Sequence, residues 1–312
     1  MSIGRPDNGF TAWLRLLPTR SPSFVLQARR ATALLLASLN GRVAGVGSAF
    51  IVHVPPPEDG YQPDYVVVTA RHNVDLANRH GATTRLRLTH QSLVTTEAPE
   101  LEISANDWYY YRDHDVATAI LPLHFVFETR DVPALPVRAF FNPIKWFEPV
   151  PAYVIGRCDV GGSELILVRR GWIPTVERAR VRLDNFQDRV EVNLVEGVVE
   201  PGMSGGPVVV AQGPEDANNL VFGMTYGYSM PRTDDESEVD GEVDTAKDAR
   251  RDLSEVRREL FARRQQLIYV VPGEHILHGI EQRLRAEYPG RTQLLEQLVM
   301  RDRRLHQDSK TS

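Results

Sequence analysis

The 312-residue sequence predicts an all-β protein arranged as a barrel or a sandwich. Two observations carry this prediction: short β-rich runs recur along most of the chain, and turn residues such as those at 55–60 separate them. The runs fall into two sets, and a proline-punctuated stretch at 131–149 is predicted to connect the sets. A chain of this length can hold two modest domains or one unit of two barrels.

Each predicted strand is a run of mainly apolar and β-branched residues, which favour extended backbone. Strands of the first set are predicted at 33–38, 48–54, 65–70, 84–88, 101–104 and 116–121. Strands of the second set are predicted at 150–155, 165–170, 171–176, 190–194, 207–210 and 221–226.

The composition of the chain changes after residue 230, where charged residues replace the β-rich runs. An acidic stretch at 234–244 is predicted to be a solvated loop, and the charged residues at 247–265 recur at helical spacing. A final strand is predicted at 267–271, followed by a helix that begins at 272–274 and continues through Ile276, Ile280 and Leu284. A short helix near 291–300 and a polar tail follow.

Composition and charge limit the classes of function. A hydrophobic content of 42% and a charged content of 25% are ordinary for a globular protein, and a net charge of −5 gives no general reason to expect nucleic-acid binding. The lone Cys158 cannot form an internal disulfide bond, which favours a reducing compartment. Residues 1–24 lack a secretory pattern, and no apolar run nearby could cross a membrane. We therefore expect a cytoplasmic protein without a membrane partner.

The stretch from Gly202 to Pro207 reads Gly-Met-Ser-Gly-Gly-Pro and is the strongest chemical signal in the chain. It places Ser204 in a turn whose glycines let other backbone approach closely. The backbone amides of Gly202 and Ser204 can then point at an oxygen that develops negative charge. The sequence predicts these two amides as an oxyanion hole.

Two upstream segments supply the partners that a nucleophilic serine needs. His72 ends a β-branched run, and Asp115 begins an apolar run. A histidine base, a carboxylate that orients it and a serine in a turn form a nucleophilic triad. Asp113 is a rival for the role of the carboxylate, because in an alternating strand it would face the same side as Asp115.

With these motifs in the order His, Asp, Ser, the chain resembles the trypsin-like (chymotrypsin-fold) serine peptidases. The resemblance rests on 69–72 for Thr-Ala-x-His, on 115–117 for Asp-hydrophobic-Ala and on 202–207 for Gly-x-Ser-Gly-Gly-Pro. Further matches at 45–52, 149–156 and 223–227 extend it to roughly residues 30–280. The family pattern favours Asp115 over Asp113, because Val116 and Ala117 follow it directly.

The resemblance implies two packed antiparallel β-barrels with a helical insertion and C-terminal helices. It implies a first barrel within 1–130 that carries His72 and Asp115, and a connection at 131–149. A second barrel at 150–280 would carry Ser204, with an insertion at 231–265, and a helical tail would occupy 281–312.

The implied activity is that of a serine endopeptidase that uses an acyl-enzyme intermediate and needs neither a cofactor nor a metal. By position in the family, Thr225, Tyr226 and Gly227 would form a strand edge that binds an extended peptide. Val198 would lie near the floor of the primary pocket, where no acidic residue stands. We therefore expect a small or apolar residue before the scissile bond.

The chain departs from the animal digestive enzymes at two points. Met203 stands where those enzymes keep an aspartate that pairs with a new N-terminus, and the chain has one cysteine where they carry several disulfides. The resemblance is therefore to the disulfide-free bacterial and viral members, and we expect no activation through that ion pair.

Three alternatives stay open at the level of sequence. The chain could be a catalytically silent peptide-binding module, or a peptidase activated by a regulatory protein that docks on 231–265. The glycine-flanked Ser204 also matches the nucleophile elbow of α/β-hydrolase esterases. That fold requires a helix directly after the serine, whereas Pro207 and three valines predict a strand.

Overall fold

The architecture is described from a computed structural model. The described residues are 23–39, 42–56, 64–79, 81–88, 99–129, 132–141, 150–160, 163–174, 178–182, 189–211, 219–229 and 266–288. The insertion predicted at 231–265 lies outside them, as do residues 289–312 of the predicted tail and residues 142–149 of the predicted connection.

Strands dominate both halves of the described chain, as the β-rich runs predict. The elements of the first half are α1 (Ser23–Ala31), β1 (Thr32–Leu39), β2 (Arg42–Val54), β3 (Asp64–Thr69), α2 (Arg71–Arg79), β4 (Thr83–Leu88), β5 (Glu100–Ile103), β6 (Tyr109–Tyr110), β7 (Ala117–Ile120), α3 (Leu123–Thr129) and β8 (Leu135–Pro136). Those of the second half are β9 (Val150–Val160), β10 (Ser163–Ile173), β11 (Arg178–Arg182), β12 (Arg189–Gly197), β13 (Pro207–Ala211), β14 (Asn219–Ser229), β15 (Gln266–Pro272) and α4 (Gly273–Glu287).

The strands of the first half form a curled sheet in the order β5-β4-β1-β2-β3-β7-β6, and the short β8 pairs with β2 in parallel. All other pairs in this sheet are antiparallel. Its inner face buries a core of its own, which includes Leu35, Ile51, Val67, Leu86 and Trp108. Within the described residues this sheet curls without closing on itself.

The strands of the second half form a sheet in the order β10-β9-β13-β14-β15-β12-β11. A further pairing of β10 with β12, through Trp172 and Glu196, closes the first six of these strands into a barrel. Gly171 allows this closure, because a Cβ there would lie 2.6 Å from the backbone oxygen of Glu196. The prediction of an all-β fold of two barrels is confirmed at the level of the fold class: the second half forms a closed barrel, and the first half forms a curled half-barrel.

A shared apolar core joins the two sheets. It combines side chains of the first sheet, such as Phe50 and Val68, with Ile155 and Val209 of the second. Helices α1 and α4 pack into the same cluster through buried residues that include Phe24, Ala28, Ile276 and Ile280. Burial of this apolar area holds the sheets together, so groups contributed by different sheets are kept at fixed distances.

The strand after Ser204 separates this fold from one of the alternatives. Pro207 begins β13, which pairs antiparallel with β14 and with β9. An α/β-hydrolase would place a helix at this point of a mainly parallel sheet. The esterase alternative of that class is therefore wrong.

Candidate active site

The edge shared by β3 and β7 brings His72 and Asp115 together. These strands pair antiparallel, with Thr69 opposite Ala117. His72 lies in the first turn of α2, just after β3 ends, and Asp115 lies just before β7 begins. Since one strand ends where its neighbour starts, the two side chains meet at the same edge.

Asp115 holds His72 through two contacts. Its Oδ2 lies 2.7 Å from the ring Nδ1 of His72, and its Oδ1 accepts a hydrogen bond of 3.0 Å from the backbone N–H of His72. The carboxylate is fully buried, whereas 29% of the His72 side chain is exposed. The acid is thus shielded from water while the base remains open to a reactant. The rival Asp113 is exposed.

Ser204 completes the line from the second sheet. Its Oγ lies 2.7 Å from Nε2 of His72. The same Oγ also lies 2.7 Å from the backbone oxygen of Tyr226, to which it can donate. The single hydroxyl proton therefore has two acceptors. The ring of Tyr226 stands edge-on to that of His72, with 5.1 Å between their centroids.

A second histidine, His114, hydrogen-bonds to the backbone of Asp115. The Nδ1 of His114 accepts a hydrogen bond of 3.0 Å from the backbone N–H of Asp115, and its Nε2 lies 2.7 Å from the backbone oxygen of Glu191. Because an amide can only donate and a carbonyl can only accept, His114 is neutral with its proton on Nε2. Burial lowers the pKa of His114, which favours this neutral form.

A further ring packs against His114. His275, on α4, lies with its ring centroid 4.6 Å from that of His114. Burial and the neighbouring His114 lower the pKa of His275 as well. This pair joins the segment before β7 to Glu191 of β12 and to α4. The sequence motifs gave no signal for it.

The backbone N–H groups of the loop around Ser204 divide into those that are hydrogen-bonded within the chain and those that are not. The N–H of Met203 donates to the oxygen of Glu200, that of Gly205 to the oxygen of Thr225, and that of Gly206 to the oxygen of Met203. The amides of Gly202 and Ser204 make no hydrogen bond within the described chain. Both therefore remain available for an acceptor on a bound molecule.

Two glycines of this loop adopt a conformation that other residues rarely take. Gly202 has a φ of +94° and Gly205 a φ of +86°. A Cβ on Gly205 would also press on the backbone oxygen of Ser48 and lie 2.6 Å from Oγ1 of Thr69. The turn predicted from the glycines of this motif thus needs glycine at both positions.

The residues predicted to bind substrate lie in two environments. Val198 follows β12 and is 42% exposed. Thr225 is only 1% exposed, and its backbone N–H and oxygen are bonded to Gly206 and Gly205. Thr225 therefore differs from the expected open edge. Tyr226 and Gly227 are partly exposed, beyond the last β13–β14 pair at Pro207 and Met224.

Two residues that sequence reasoning missed contact the serine loop. Ser48 of β2 donates its hydroxyl to the oxygen of Gly202 at 2.8 Å. Asn73 of α2 donates its side-chain amide to the oxygen of Ser204 at 3.0 Å. Asn73 directly follows His72, and Ser48 lies within the matched stretch at 45–52. No local pattern marks either as a partner of the loop.

No group of three or more His, Cys, Asp or Glu side chains in the described part of the chain is arranged to hold a metal ion. Among the same residues, none of the helices combines the length and the apolar character that crossing a bilayer requires.

Comparison with solved structures finds proteases of similar fold. The Rv3671c protease from M. tuberculosis, in its active form, shares 15% identity over 89% of this chain and 87% of its own, with a TM-score of 0.48. The catalytically active tobacco etch virus protease in complex with product shares 9% identity over 87% of this chain and 83% of its own, with a TM-score of 0.41.

The thermostable serine protease AL20, from an extremophilic microorganism, shares 15% identity over 65% of this chain and 88% of its own, with a TM-score of 0.40. No protein-family model and no curated protein matches the chain. At these identities the likeness concerns the fold. The closed barrel and the curled half-barrel of this chain are consistent with a chymotrypsin-like double barrel.

Proposed function

We propose that the protein is a serine endopeptidase in which Ser204, His72 and Asp115 form the catalytic triad. One observation carries the proposal: Ser204 Oγ, the His72 ring and the Asp115 carboxylate lie in line through contacts of 2.7 Å and 2.7 Å. The unpartnered amides of Gly202 and Ser204 stand in the same loop as the nucleophile. This combination suits acyl transfer.

The first half of the reaction forms an acyl-enzyme. Ser204 Oγ attacks the carbonyl carbon of the substrate while its proton passes to Nε2 of His72, and the buried Asp115 stabilises the resulting imidazolium. The carbonyl oxygen gains negative charge and accepts from the amides of Gly202 and Ser204. The C–N bond then breaks, and the amine leaves with the proton from His72.

The second half restores the enzyme by the same route. Water loses a proton to His72 and attacks the acyl carbon, after which the proton returns to Ser204 Oγ as the acid leaves. The Ser204 hydroxyl can donate its proton either to Nε2 of His72 or to the oxygen of Tyr226, and this choice affects the first step of the reaction. Attack requires the proton to face His72, so a substrate N–H that takes the oxygen of Tyr226 would favour the reactive hydrogen bond.

A peptide suits this site because the partly exposed Tyr226 and Gly227 extend β14 beyond its last pair with β13, and an extended chain could pair along that side of β14. Val198 is proposed to lie at the floor of the pocket for the residue before the scissile bond. With no acid at that position, we propose a small or apolar residue there. Sequencing the fragments of a cleaved peptide library tests this preference, and dominant cleavage after Arg or Lys would contradict it.

A fluorophosphonate tests the triad directly. Its phosphorus is attacked by Ser204 Oγ, the P–F bond breaks and fluoride leaves, so intact-mass analysis should show one adduct on the wild-type protein. Ser204→Ala and His72→Ala should abolish labelling. The exposed Ser104 and His124 provide matched controls, and Ser104→Ala and His124→Ala should label as the wild type does.

The silent or partner-activated module remains the second candidate. A folded wild-type protein that takes no adduct would contradict an assembled triad and favour that candidate. We also propose a cytoplasmic location and a regulatory partner for 231–265, a segment outside the described residues. Deletion of 234–262 with unchanged labelling and partner binding would argue against that partner.

A further inference from the structure

We propose that Ser48 and Asn73 are positioning residues, which hold the serine loop so that its two free amides converge on the reacting oxygen. This inference rests on the proposed function. The hydrogen bonds of both side chains to the serine loop go to its backbone oxygens, so each would act through the backbone of 202–205. Main-chain bonds and the buried Met203, whose Sδ accepts from the N–H of Glu200, hold the rest of the loop. Ser48 and Asn73 are the side chains that hydrogen-bond to the carbonyls of this loop, so they are the ones through which its position can be tested.

Ser48 connects three strands and the loop at one point. Its hydroxyl donates to the oxygen of Gly202 at 2.8 Å and accepts from the backbone N–H of Arg157, on β9, at 2.7 Å. Its own N–H donates to the oxygen of Ser204 at 2.8 Å. Ser48 is fully buried, so none of these groups can exchange its partner for water.

Asn73 holds the other end of the same segment. Its Nδ2 donates to the oxygen of Ser204 at 3.0 Å and approaches Oγ1 of Thr69 at 3.3 Å. Thr69 in turn donates to the oxygen of Ser48 at 2.7 Å. The backbone of Ser48 and the side chains of Thr69 and Asn73 thus form one network around the carbonyl of Ser204.

The backbone is shaped to admit the Asn73 carboxamide. A Cβ on Gly47 would lie 2.5 Å from its Cγ, and a Cβ on Gly205 would lie 2.9 Å from its Nδ2. Asn73 itself is 2% exposed. Absence of a side chain at Gly47 and at Gly205, on opposite sheets, leaves the space that this amide fills.

These bonds fix the planar peptide groups that adjoin the two donor amides, so only the φ and ψ angles of one residue separate each donor from a fixed peptide. The bond to the oxygen of Gly202 fixes the peptide between residues 202 and 203, which follows the Gly202 amide. The bonds to the oxygen of Ser204 fix the peptide after the Ser204 amide. When the hydrogen bonds from Ser48 and Asn73 are lost, these peptides can rotate. The amides of Gly202 and Ser204 then no longer converge on the reacting oxygen of the substrate.

The test compares four variants with the wild type. Ser48→Ala and Asn73→Ala remove the two donors. Thr84→Ala is the matched control for Ser48, because the buried Thr84 hydroxyl also donates to a backbone oxygen and accepts an N–H, from Trp108, away from the site. Asn193→Ala is the matched control for Asn73, because its buried amide donates to the oxygen of Phe222.

Two rates are measured on each protein that retains the wild-type circular dichroism spectrum: labelling by a fluorophosphonate and hydrolysis of p-nitrophenyl acetate. Loss of one oxyanion donor typically lowers kcat about 10²–10³-fold, so a misdirected pair should lower both rates by roughly 10- to 100-fold. We expect the loss in kcat, with KM and the apparent pKa of the pH–rate profile nearly unchanged. A structural defect that affects the whole protein would change KM and the apparent pKa of the pH–rate profile as well.

Each outcome decides a different statement. Slower reaction in Ser48→Ala and Asn73→Ala, with Thr84→Ala and Asn193→Ala near the wild type, would support the assignment. Wild-type rates in the first two variants, or equal losses in all four, would overturn it while leaving the proposed function standing. A folded wild type that neither labels nor hydrolyses the ester would overturn the proposed function, and this inference with it.

Discussion

Gly47→Ala should disturb the candidate active site without touching any group in it. Gly47 is a buried residue of β2 whose backbone conformation an alanine can adopt. The three atoms nearest to an added Cβ all belong to Asn73, with Cγ at 2.5 Å and Oδ1 at 2.7 Å. The new methyl group would therefore act on one side chain, the carboxamide that holds the carbonyl of Ser204.

The size of the effect follows from these distances. Ordinary van der Waals contact begins at 3.4 Å, so the carboxamide must withdraw by about 0.9 Å, more than a 3.0 Å hydrogen bond can absorb. Overpacking costs about 1–3 kcal/mol and a lost hydrogen bond about 1 kcal/mol, so we expect a free energy of unfolding lowered by about 2–4 kcal/mol. Fluorophosphonate labelling should slow as it does in Asn73→Ala.

A double-mutant cycle with Asn73→Ala isolates the cause. Urea denaturation gives the free energy of unfolding of the wild type, of each single variant and of the pair. With the carboxamide removed, the added methyl group has space, so Gly47→Ala should then cost less than about 1 kcal/mol. If Gly47→Ala costs as much in the Asn73→Ala background as in the wild type, the steric reasoning is wrong.

Three further results are expected. Asp115→Asn should lower kcat for ester hydrolysis by about 10³–10⁴-fold, because an amide cannot stabilise the imidazolium of His72, and a loss below tenfold would contradict this. Gly205→Ala should lower the free energy of unfolding in urea by more than about 1–2 kcal/mol, since its positive φ is strained for alanine before any clash is counted, and a stability within error of the wild type would oppose this. Because the pKa values of His114 and His275 are lowered in the folded state, the unfolded chain binds more protons than the folded chain as the pH falls below about 6.5. Stability should therefore be complete above about pH 6.5 and fall as the pH drops towards the pKa values of the folded state, by about 1.4 kcal/mol per unit of depression for the largely buried His114 and by less for the half-buried, solvent-screened His275. His114→Gln should flatten this dependence in urea titrations at pH 7.5 and 5, and an unchanged slope would refute the role of His114.

The segments that carry the candidate residues His72, Asp115 and Ser204 could be recognised in the sequence because each signal is local. His72 and Asp115 stand at the ends of apolar runs, and runs of that kind form the strands β3 and β7, whose ends meet. Ser48 and Asn73 could not be predicted in the same way. Their partners in the serine loop lie 154 and 131 positions further along the chain, and only the packing of one sheet on the other brings them into contact.

Gly171 shows why a strand boundary was misplaced. The sequence predicts two strands that meet at this glycine, because glycine usually interrupts a strand, whereas β10 runs unbroken from Ser163 to Ile173. Gly171 instead marks the close approach of β12, where a Cβ would meet the oxygen of Glu196. Close approach by a distant strand is a tertiary event, so the sequence pattern does not distinguish it from a turn.

His72 and Asn73 are adjacent on one turn of α2, and the contacts of both with Ser204 depend on how the two sheets are docked. The ring of His72 contacts the hydroxyl of Ser204 and the side chain of Asn73 contacts its backbone oxygen, while Ser204 itself precedes β13 of the other sheet. Any sliding of one sheet over the other would lengthen both contacts at once. If Ser204 is the nucleophile that we propose, its reactivity reports how the two sheets are docked, and the reassembly of two separately expressed halves of the chain could be followed by the appearance of that reactivity.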